Sequence, residues 1–314
     1  MSLERALDLA ERGRDTTHPN PVVGAVLVRD GEVVGEGWHE RKGGPHAEVA
    51  ALEEAGARAE GATLYVTLEP CSHHGSTPPC ADALVTAGVT RVVAGSADPN
   101  PRVAGFERLR SAGVRVELAE GEPAGRARRQ NEAWRTWMAE GRPFVTYKAA
   151  VTLDGRMTVP GTRWVSGEES RLEVHRLRAR SDAVAVGMGT LMADRPRLTA
   201  RGVPVVRQPR RLVFGRGPLP EGSELELRTG PLEEEMCLLA QEGVQSLLLE
   251  GGPTLAASFL AAGLVDKLLV FVAPRLSGSG SSLVPSLPAP LTVSGLVAEG
   301  SGEDLLLSAY VHEP

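Results

Sequence analysis

The segments His46-Ala47-Glu48, Pro70-Cys71 and Pro79-Cys80 offer one imidazole, one carboxylate and two thiols, a set that suits one zinc ion and one proton shuttle. A neutral imidazole and two thiolates fill three tetrahedral positions and leave the fourth open to water, as a catalytic zinc requires. Bound zinc lowers the pKa of that water towards neutrality, and a carboxylate outside the metal shell carries a proton to the departing amine. Glu48 is placed for that task, so hydrolytic deamination is the leading reading. A lone histidine or cysteine more often packs in a core, and a structural zinc knuckle uses the same donor types. Neither explains an acid two positions after the histidine and a proline before each cysteine.

The elements that must present these groups are legible nearby. Pro45 suits the first turn of a helix running through Glu48 to Leu52, so His46 and Glu48 leave its N-terminal end. Residues 61–68 read as a buried strand delivering Cys71. Cys80 opens a second helix through Ala87, where a helix N-terminus favours thiolate over thiol. The usual zinc-deaminase pattern has two residues between its cysteines, whereas eight separate Cys71 from Cys80. The insertion predicts a loop over the metal site. Its His73 and His74 are adjacent and compete for geometry, and a further ligand would displace the water, so they are assigned to loop structure or substrate contact.

Around this motif the first half alternates strands and helices. Stretches 22–28 and 31–35 flank a hairpin marked by Asp30-Gly31. A strand near 91–94, a helix near 106–112 and a strand near 114–118 follow, as in an α/β sheet covered by helices. Residues 122–139 read as one helix with Trp134, Trp137 and Met138 on an apolar stripe that favours packing over base stacking. Glu140-Gly141-Arg142-Pro143 ends it and sets a boundary between residues 1–141 and 142–314.

The second half opens with a strand over 144–151 and a turn at Leu153-Asp154-Gly155-Arg156. Ser166-Gly167-Glu168-Glu169 matches a capping box at the start of a helix. Two segments, 181–190 and 246–254, each run from an apolar strand into a glycine turn and then a helix. Both are candidate phosphate cradles, although neither has the G-x-G-x-x-G spacing of a dinucleotide-binding unit. Lys148 could donate a proton or contact an anion, and Arg178 and Arg201 could be solvated charges. The 277–282 run of serine and glycine reads as a flexible loop.

The chain has 314 residues, 42% of them hydrophobic, enough for two cores without a membrane span. Its formal net charge of −6 argues against a nucleic-acid partner, and no basic, aromatic strand-binding stretch is present. The N-terminus is charged and helix-periodic, without a signal-peptide core, so a cytoplasmic setting is expected. Of three cysteines, Cys237 is expected to be a buried apolar residue of a helix, and no disulfide framework is expected.

Longer strings carry a resemblance. Residues 18–24 (His-Pro-Asn-Pro-Val-Val-Gly), Pro45 to Glu48, Thr67 to Gly75 and Ala97-Asp98-Pro99-Asn100-Pro101 resemble the bifunctional deaminase/reductase family of riboflavin biosynthesis, and the inserted loop is part of that likeness. Lys148 to Gly155, Trp164, Gly187-x-Gly189-Thr190, 193–196 and 250–254 resemble its reductase half. The resemblance implies an α/β fold with an N-terminal cytidine-deaminase-like three-layer domain and a C-terminal dihydrofolate-reductase-like domain.

The resemblance also implies the cofactors Zn2+ and NADPH and a phosphoribosylaminopyrimidine substrate. Position by position, Ala150, Trp164, Thr190 and Asp194 look like cofactor contacts, as does the stretch Gly252, Pro253, Thr254, Leu255, Ala256, Ala257 and Ser258. Thr162, Arg178, Leu198, Arg201 and Glu250 look like substrate contacts, and pyrimidine recognition is expected near Asn20, His39 and Ser76. This chain departs from the family's pattern in a short segment 157–164, a compact 202–240 and an arginine at 195 where a carboxylate or amide is common.

The implied reaction is loss of the ring 2-amino group as ammonia followed by reduction of ribosyl to ribityl. Rival readings are a single-activity nucleoside or nucleobase deaminase with a ligand-binding second half, and a zinc-stabilised interaction protein without catalysis. A homo-oligomer is left open by the sequence.

Overall fold

Asp30 and Gly31 supply two successive left-handed residues, with φ of 52° and 84°, and the chain reverses there between β1 (Gly24–Arg29) and β2 (Glu32–Trp38). The computed structural model describes residues 2–72 and 79–314. It comprises two units, one ending at Glu140 and one spanning Gly141–Glu313. No helix among the described residues is long and apolar enough to cross a membrane.

In the first unit the hairpin joins β3 (Thr63–Val66), β4 (Arg91–Ala94) and β5 (Arg115–Leu118) in the order β2-β1-β3-β4-β5. The β1 contacts are antiparallel, and β3, β4 and β5 run parallel. Period-two alternation along β1 feeds two layers. Val26 packs with Ala6 and Leu9 of α1 (Ser2–Glu11), while Ala25 and Leu27 face the larger core. That core holds residues of α2 (Ala47–Ala55), α3 (Cys80–Thr86) and α4 (Gly105–Ser111), with a short 3₁₀ turn, Gly56–Ala59, after α2.

Two glycines bring α2 onto the sheet. A Cβ on Gly35 would lie 2.2 Å from the Ala51 carbonyl oxygen, and one on Gly37 2.4 Å from that of Ala47. Only hydrogen at these positions lets the helix bearing Glu48 rest directly on β2. Pro45 stands outside the first helical turn expected for it, because His46 is the extended N-cap residue (φ −73°, ψ 158°).

The single helix expected over 122–139 is two, α5 (Gly121–Gln130) and α6 (Glu132–Glu140). Asn131 breaks it: its buried amide accepts from the Val22 N–H and donates to the Val22 carbonyl, both at 2.9 Å. Trp134, Trp137 and Met138 are half-buried.

The second unit is an eight-stranded sheet with helices between many of its strands: β6 (Phe144–Thr152), α7 (Glu168–Arg180), β7 (Ala183–Gly187), α8 (Met188–Asp194), β8 (Arg210–Phe214) and β9 (Glu226–Arg228). Then come α9 (Leu232–Gln241), β10 (Ser246–Leu249), α10 (Pro253–Ala261), β11 (Lys267–Ala273), β12 (Ser294–Ser301) and β13 (Asp304–Tyr310). The order is β12-β13-β11-β6-β10-β7-β8-β9, with the six strands from β11 to β9 parallel and the β13 and β12 contacts antiparallel. Residues 183–186 are all buried, as a parallel strand covered on both faces requires.

Carboxylates tie down the N-terminal ends of these strands. Asp182 accepts from the Gln245 and Ser246 N–H groups at 2.8 and 3.0 Å. Asp266 accepts from Val145 N–H at 2.7 Å and from Arg142 at 2.6 and 2.7 Å.

Two further expectations are corrected. The capping box at 166–169 does not form: Gly167 is the N-cap without a side-chain cap. Buried Asp304 instead accepts from Gly167 N–H at 2.8 Å and Ser170 Oγ at 2.6 Å. Cys237 is exposed, because α9 turns Met236, Leu239 and Ala240 inward and the residue one step from Met236 points about 100° away. The 277–282 loop is anchored by Asp154, which accepts from Ser277 and Gly278 N–H at 3.0 and 2.8 Å.

Candidate functional site

In the first unit, His46 stands at the N-cap of α2, Cys80 at the first position of α3, and Cys71 on the loop beyond β3. The donor atoms of the three lie within 4.8 Å of one another. His46 Nδ1 is 3.2 Å from Cys80 Sγ and 3.6 Å from Cys71 Sγ. Tetrahedral zinc with Zn–N of about 2.0 Å and Zn–S of about 2.3 Å places nitrogen and sulfur about 3.5 Å apart, so the donor types and spacing fit that ion.

The electrostatics point the same way. Cys71 is held far below the usual thiol range by a hydrogen bond from Cys80, against burial, with His46 and the Cys80 N–H (3.3 Å) adding to it. Cys80 is pushed up by donating to Cys71 and by burial. The sulfurs thus share one proton, and a cation between them would take its place. His46 is raised by its bond to Cys71, which outweighs burial.

Glu48 is almost wholly buried and pushed up to about 7, chiefly by burial, while its own backbone N–H and His46 pull it down. His39 is also buried, its ring 5.5 Å from that of His46. His39 Nδ1 donates to the Pro45 carbonyl at 2.9 Å, which leaves Nε2 to accept from Asn20 Nδ2 at 3.2 Å. Burial lowers its pKa, in keeping with the neutral ring. Asn20 and His39 therefore stand beside the metal donors, whereas His73, His74 and Ser76 lie outside the described residues.

Glu69 gave no signal of its own in the sequence. Its buried carboxylate accepts from Phe106 N–H at 2.9 Å and Asp98 N–H at 3.3 Å, which ties the Cys71 loop to the 98–106 segment. Its place two residues before Cys71 was the available clue.

In the second unit a cavity of about 720 Å³ is lined by segments near the C-terminal ends of the parallel strands, where open α/β sheets bind ligands. Ala150, Trp164, Thr190 and Asp194 line it, as do Arg178, Leu198, Arg201 and Glu250. Thr162 does not; its hydroxyl donates to the Val159 and Trp164 carbonyls at 3.2 and 3.4 Å.

Gly252 to Ser258 form the turn and first turns of α10, with Ala256 in the core. The Gly252 N–H donates to Thr190 Oγ1 at 3.1 Å and joins the two glycine turns. A Cβ on Gly189, in the first turn of α8, would meet nothing within 4 Å.

The cavity wall is strongly basic. Arg163, Arg171, Arg178, Arg195, Arg197 and Arg201 line it with Lys148, against Glu250 and Asp194. Arg178 grips Glu250 through Nε at 2.6 Å and Nη2 at 2.9 Å, and reaches the Thr199 carbonyl at 3.2 Å. The pair is 12% and 9% exposed, so Arg178 is not the solvated surface charge its sequence context allowed. Glu250 is driven up by burial but more strongly down by Arg178 and Lys148, and sits below the usual carboxylate range.

Lys148 is lowered by burial, with Glu250 opposing and Arg178 adding to the shift. His175, one turn before Arg178 on α7, donates from Nδ1 to the Thr199 carbonyl at 3.2 Å and also lines the cavity. Helical spacing from Arg178 was the signal that could have found it. Exposed Trp164 has the Arg163 and Arg171 guanidinium carbons 5.0 and 5.5 Å from its ring.

Comparison with known proteins matches residues 2–96 to the cytidine and deoxycytidylate deaminase zinc-binding region and residues 143–307 to the RibD C-terminal domain. The chain is 41% identical to the riboflavin biosynthesis protein RibD of Escherichia coli over 91% of this chain and 90% of that one. It is 40% identical to that of Aquifex aeolicus, over 97% and 96%. Acinetobacter baumannii RibD superposes with a TM-score of 0.86 at 35% identity, covering 98% and 97%. A Thermotoga maritima structure titled as a diaminohydroxyphosphoribosylaminopyrimidine deaminase and 5-amino-6-(5-phosphoribosylamino)uracil reductase gives 0.83 at 33% identity, with the same coverage. The chain, with a cytidine-deaminase-like first unit and a reductase second unit, belongs to the RibD family of bifunctional deaminase/reductases of riboflavin biosynthesis.

Proposed function

We propose that the first unit removes the 2-amino group of 2,5-diamino-6-(5-phosphoribosylamino)pyrimidin-4(3H)-one, and that the second reduces the product to 5-amino-6-(5-phosphoribitylamino)uracil with NADPH. For deamination the supporting observation is the convergence of His46, Cys71 and Cys80 with Glu48 buried beside them. Zinc held by those three donors supplies, when bound, the Lewis acidity that makes water nucleophilic near neutral pH. The Glu48 carboxylate takes the proton that water gives up at C2 and returns it to the amino nitrogen, which leaves as ammonia. Asn20, oriented by its bond to His39 Nε2, contacts the pyrimidine edge beside it.

For reduction the supporting observation is a cavity whose wall carries six arginines and one lysine against two carboxylates, suited to a phosphorylated substrate and cofactor. NADPH, when bound, supplies the hydride, and the protein supplies orientation and charge. Lys148 Nζ would give a proton to the ribose ring oxygen as its bond to C1′ breaks, which balances the hydride that C1′ would gain. Glu250, itself gripped by Arg178, holds Lys148 in place by charge, Arg201 would face the substrate phosphate, and Trp164 and Ala150 would border the nicotinamide. Thr190, Asp194 and residues 252–258 hold the rest of the cofactor.

The test supplies the phosphorylated diaminopyrimidine to the zinc-loaded chain and follows ammonia and NADPH separately. Release of one ammonia before each substrate-dependent NADPH oxidation is expected. Ammonia without NADPH oxidation would leave a single-activity deaminase, and neither signal would leave a binding protein.

A further inference from the structure

His175 lines the large cavity with one ring nitrogen committed and the other free. Nδ1 faces the Thr199 carbonyl at 3.2 Å, and a carbonyl only accepts, so Nδ1 keeps its proton whether the ring is neutral or charged. Nε2 is then the atom that titrates. Among the described residues it has no hydrogen-bond partner.

Thr199 is a fixed anchor. Leu198 is buried in the core with a left-handed backbone (φ 55°), and the Gln208 amide accepts from the Ala200 N–H and donates to the Ala200 carbonyl, both at 2.9 Å. The Thr199 carbonyl also takes Arg178 Nη1 at 3.2 Å. His175 and Arg178, one turn apart on α7, therefore lean on one carbonyl, and the same short segment carries Arg201 two residues on.

The charges around the ring decide its state. Arg178 is neutralised by Glu250, and Arg171 is committed to the Ser166 carbonyl at 2.7 Å beside Trp164. Lys148 shares the cavity from β6. Arg201 is exposed, with no carboxylate or hydrogen-bond partner among the described residues. Burial, Arg178 and Arg201 press the imidazole towards its neutral form, against the Thr199 bond and Glu250.

A phosphate monoester reverses that balance. It pairs with Arg201, brings up to about two negative charges beside the ring and offers oxygens that accept. A proton then passes from solvent to Nε2, which donates to a phosphate oxygen in a charge-assisted hydrogen bond.

We propose that His175 is a specificity-determining residue that recognises the 5′-phosphate of the substrate through Nε2 and takes up a proton as it does so. The inference rests on the reductase reading above and adds what separates a phosphorylated from a dephosphorylated substrate.

The test follows NADPH oxidation by the full chain with 5-amino-6-(5-phosphoribosylamino)uracil and with its dephosphorylated counterpart, from about pH 6 to about pH 8.5. The ratio of the two kcat/KM values is internal to each preparation, so a partly unfolded variant does not distort it. His175→Asn keeps an amide N–H where Nδ1 stands, and with it the tie to Thr199, but has nothing at Nε2. It lowers the ratio by about tenfold or more near pH 6.5, the scale of a lost charge-assisted hydrogen bond. His175→Gln places a donor near Nε2 that does not titrate, and recovers part of the preference.

In the wild type the ratio climbs relative to both variants as pH falls from about 8.5 to about 6.5, because the phosphate-bound ring takes the proton. The phosphate's own titration is common to all three chains and cancels in that comparison. A His175→Asn chain that keeps the wild-type ratio, that shows the same pH dependence, or that loses activity equally on both substrates overturns the assignment while the reductase reading stands. A wild type that oxidises NADPH with neither substrate overturns both.

Discussion

In the first unit the proposed chemistry rests on four side chains packed together, and in the second it is spread over a cavity of about 720 Å³. His46, Glu48, Cys71 and Cys80 come from two helix starts and one loop, braced by a helix lying directly on glycines of β2. The wall of the second cavity is built from backbone turns, a buried ion pair and many arginines, which suits the proposed use of a cofactor that brings the reactive atoms. A site that makes its own reagent needs donors at fixed distances. One that borrows its reagent needs shape and charge.

The contrast is tested most severely by Glu48→Gln. Ammonia release should fall by about 10²–10⁴-fold with zinc content per chain unchanged, since proton transfer and ligation are separate duties. NADPH oxidation with the deaminated intermediate should stay within about twofold of wild type, on the scale of an unaffected step. Loss of both activities together would erase the distinction between the two sites.

The second unit should instead be sensitive to charge pairing. Glu250→Ala leaves Arg178 buried without its partner, and breaking such a pair costs about 3–5 kcal/mol. The urea midpoint of the second unit should drop accordingly, and Arg178→Met with Glu250→Leu should recover most of it, although reduction is lost. A single substitution that leaves the midpoint unchanged would mean that the pair is solvated.

Gly37→Ala probes the support of the first site. The added Cβ would lie 2.4 Å from the Ala47 carbonyl oxygen, so α2 must shift, at a cost of about 1–3 kcal/mol for overpacking. Weaker zinc retention during dialysis is expected, with slower deamination and unchanged reduction. Normal zinc retention would show that the helix start has slack.

The smallest expected effect is a pH dependence in the second unit. Burial raises Glu250, but Arg178 and Lys148 bring it below its ordinary value of 4.5, so the unfolded state binds the proton first. Stability from this group is fully present above that value and is lost as pH falls through the lower folded value. Urea midpoints measured from pH 6 downwards should fall less steeply in Glu250→Gln than in wild type. Equal slopes would remove Glu250 from the acid response.

The chain shows why one half was easier to read than the other. His46, Glu48 and the two prolines preceding the cysteines announce chemistry because few other roles need those types at that spacing. Their supporting elements follow local rules, and the Asp30-Gly31 hairpin formed where turn chemistry placed it. Local rules failed where a distant group competed. Asn131 ended a helix by pairing with Val22, and Asp304 replaced the expected capping box at Gly167.

What the sequence determined by itself was the donor set, the alternation of strands and helices, and the two glycine turns, all properties of residues near one another in the chain. Only the tertiary structure decided that Arg178 and Glu250, 72 positions apart, neutralise each other, and that His39 backs His46. It also decided that the loop after β8 abuts the loop after β7. Such contacts depend on strand order and register, and these are fixed when distant apolar faces are buried together, a selection no short window of residues can express.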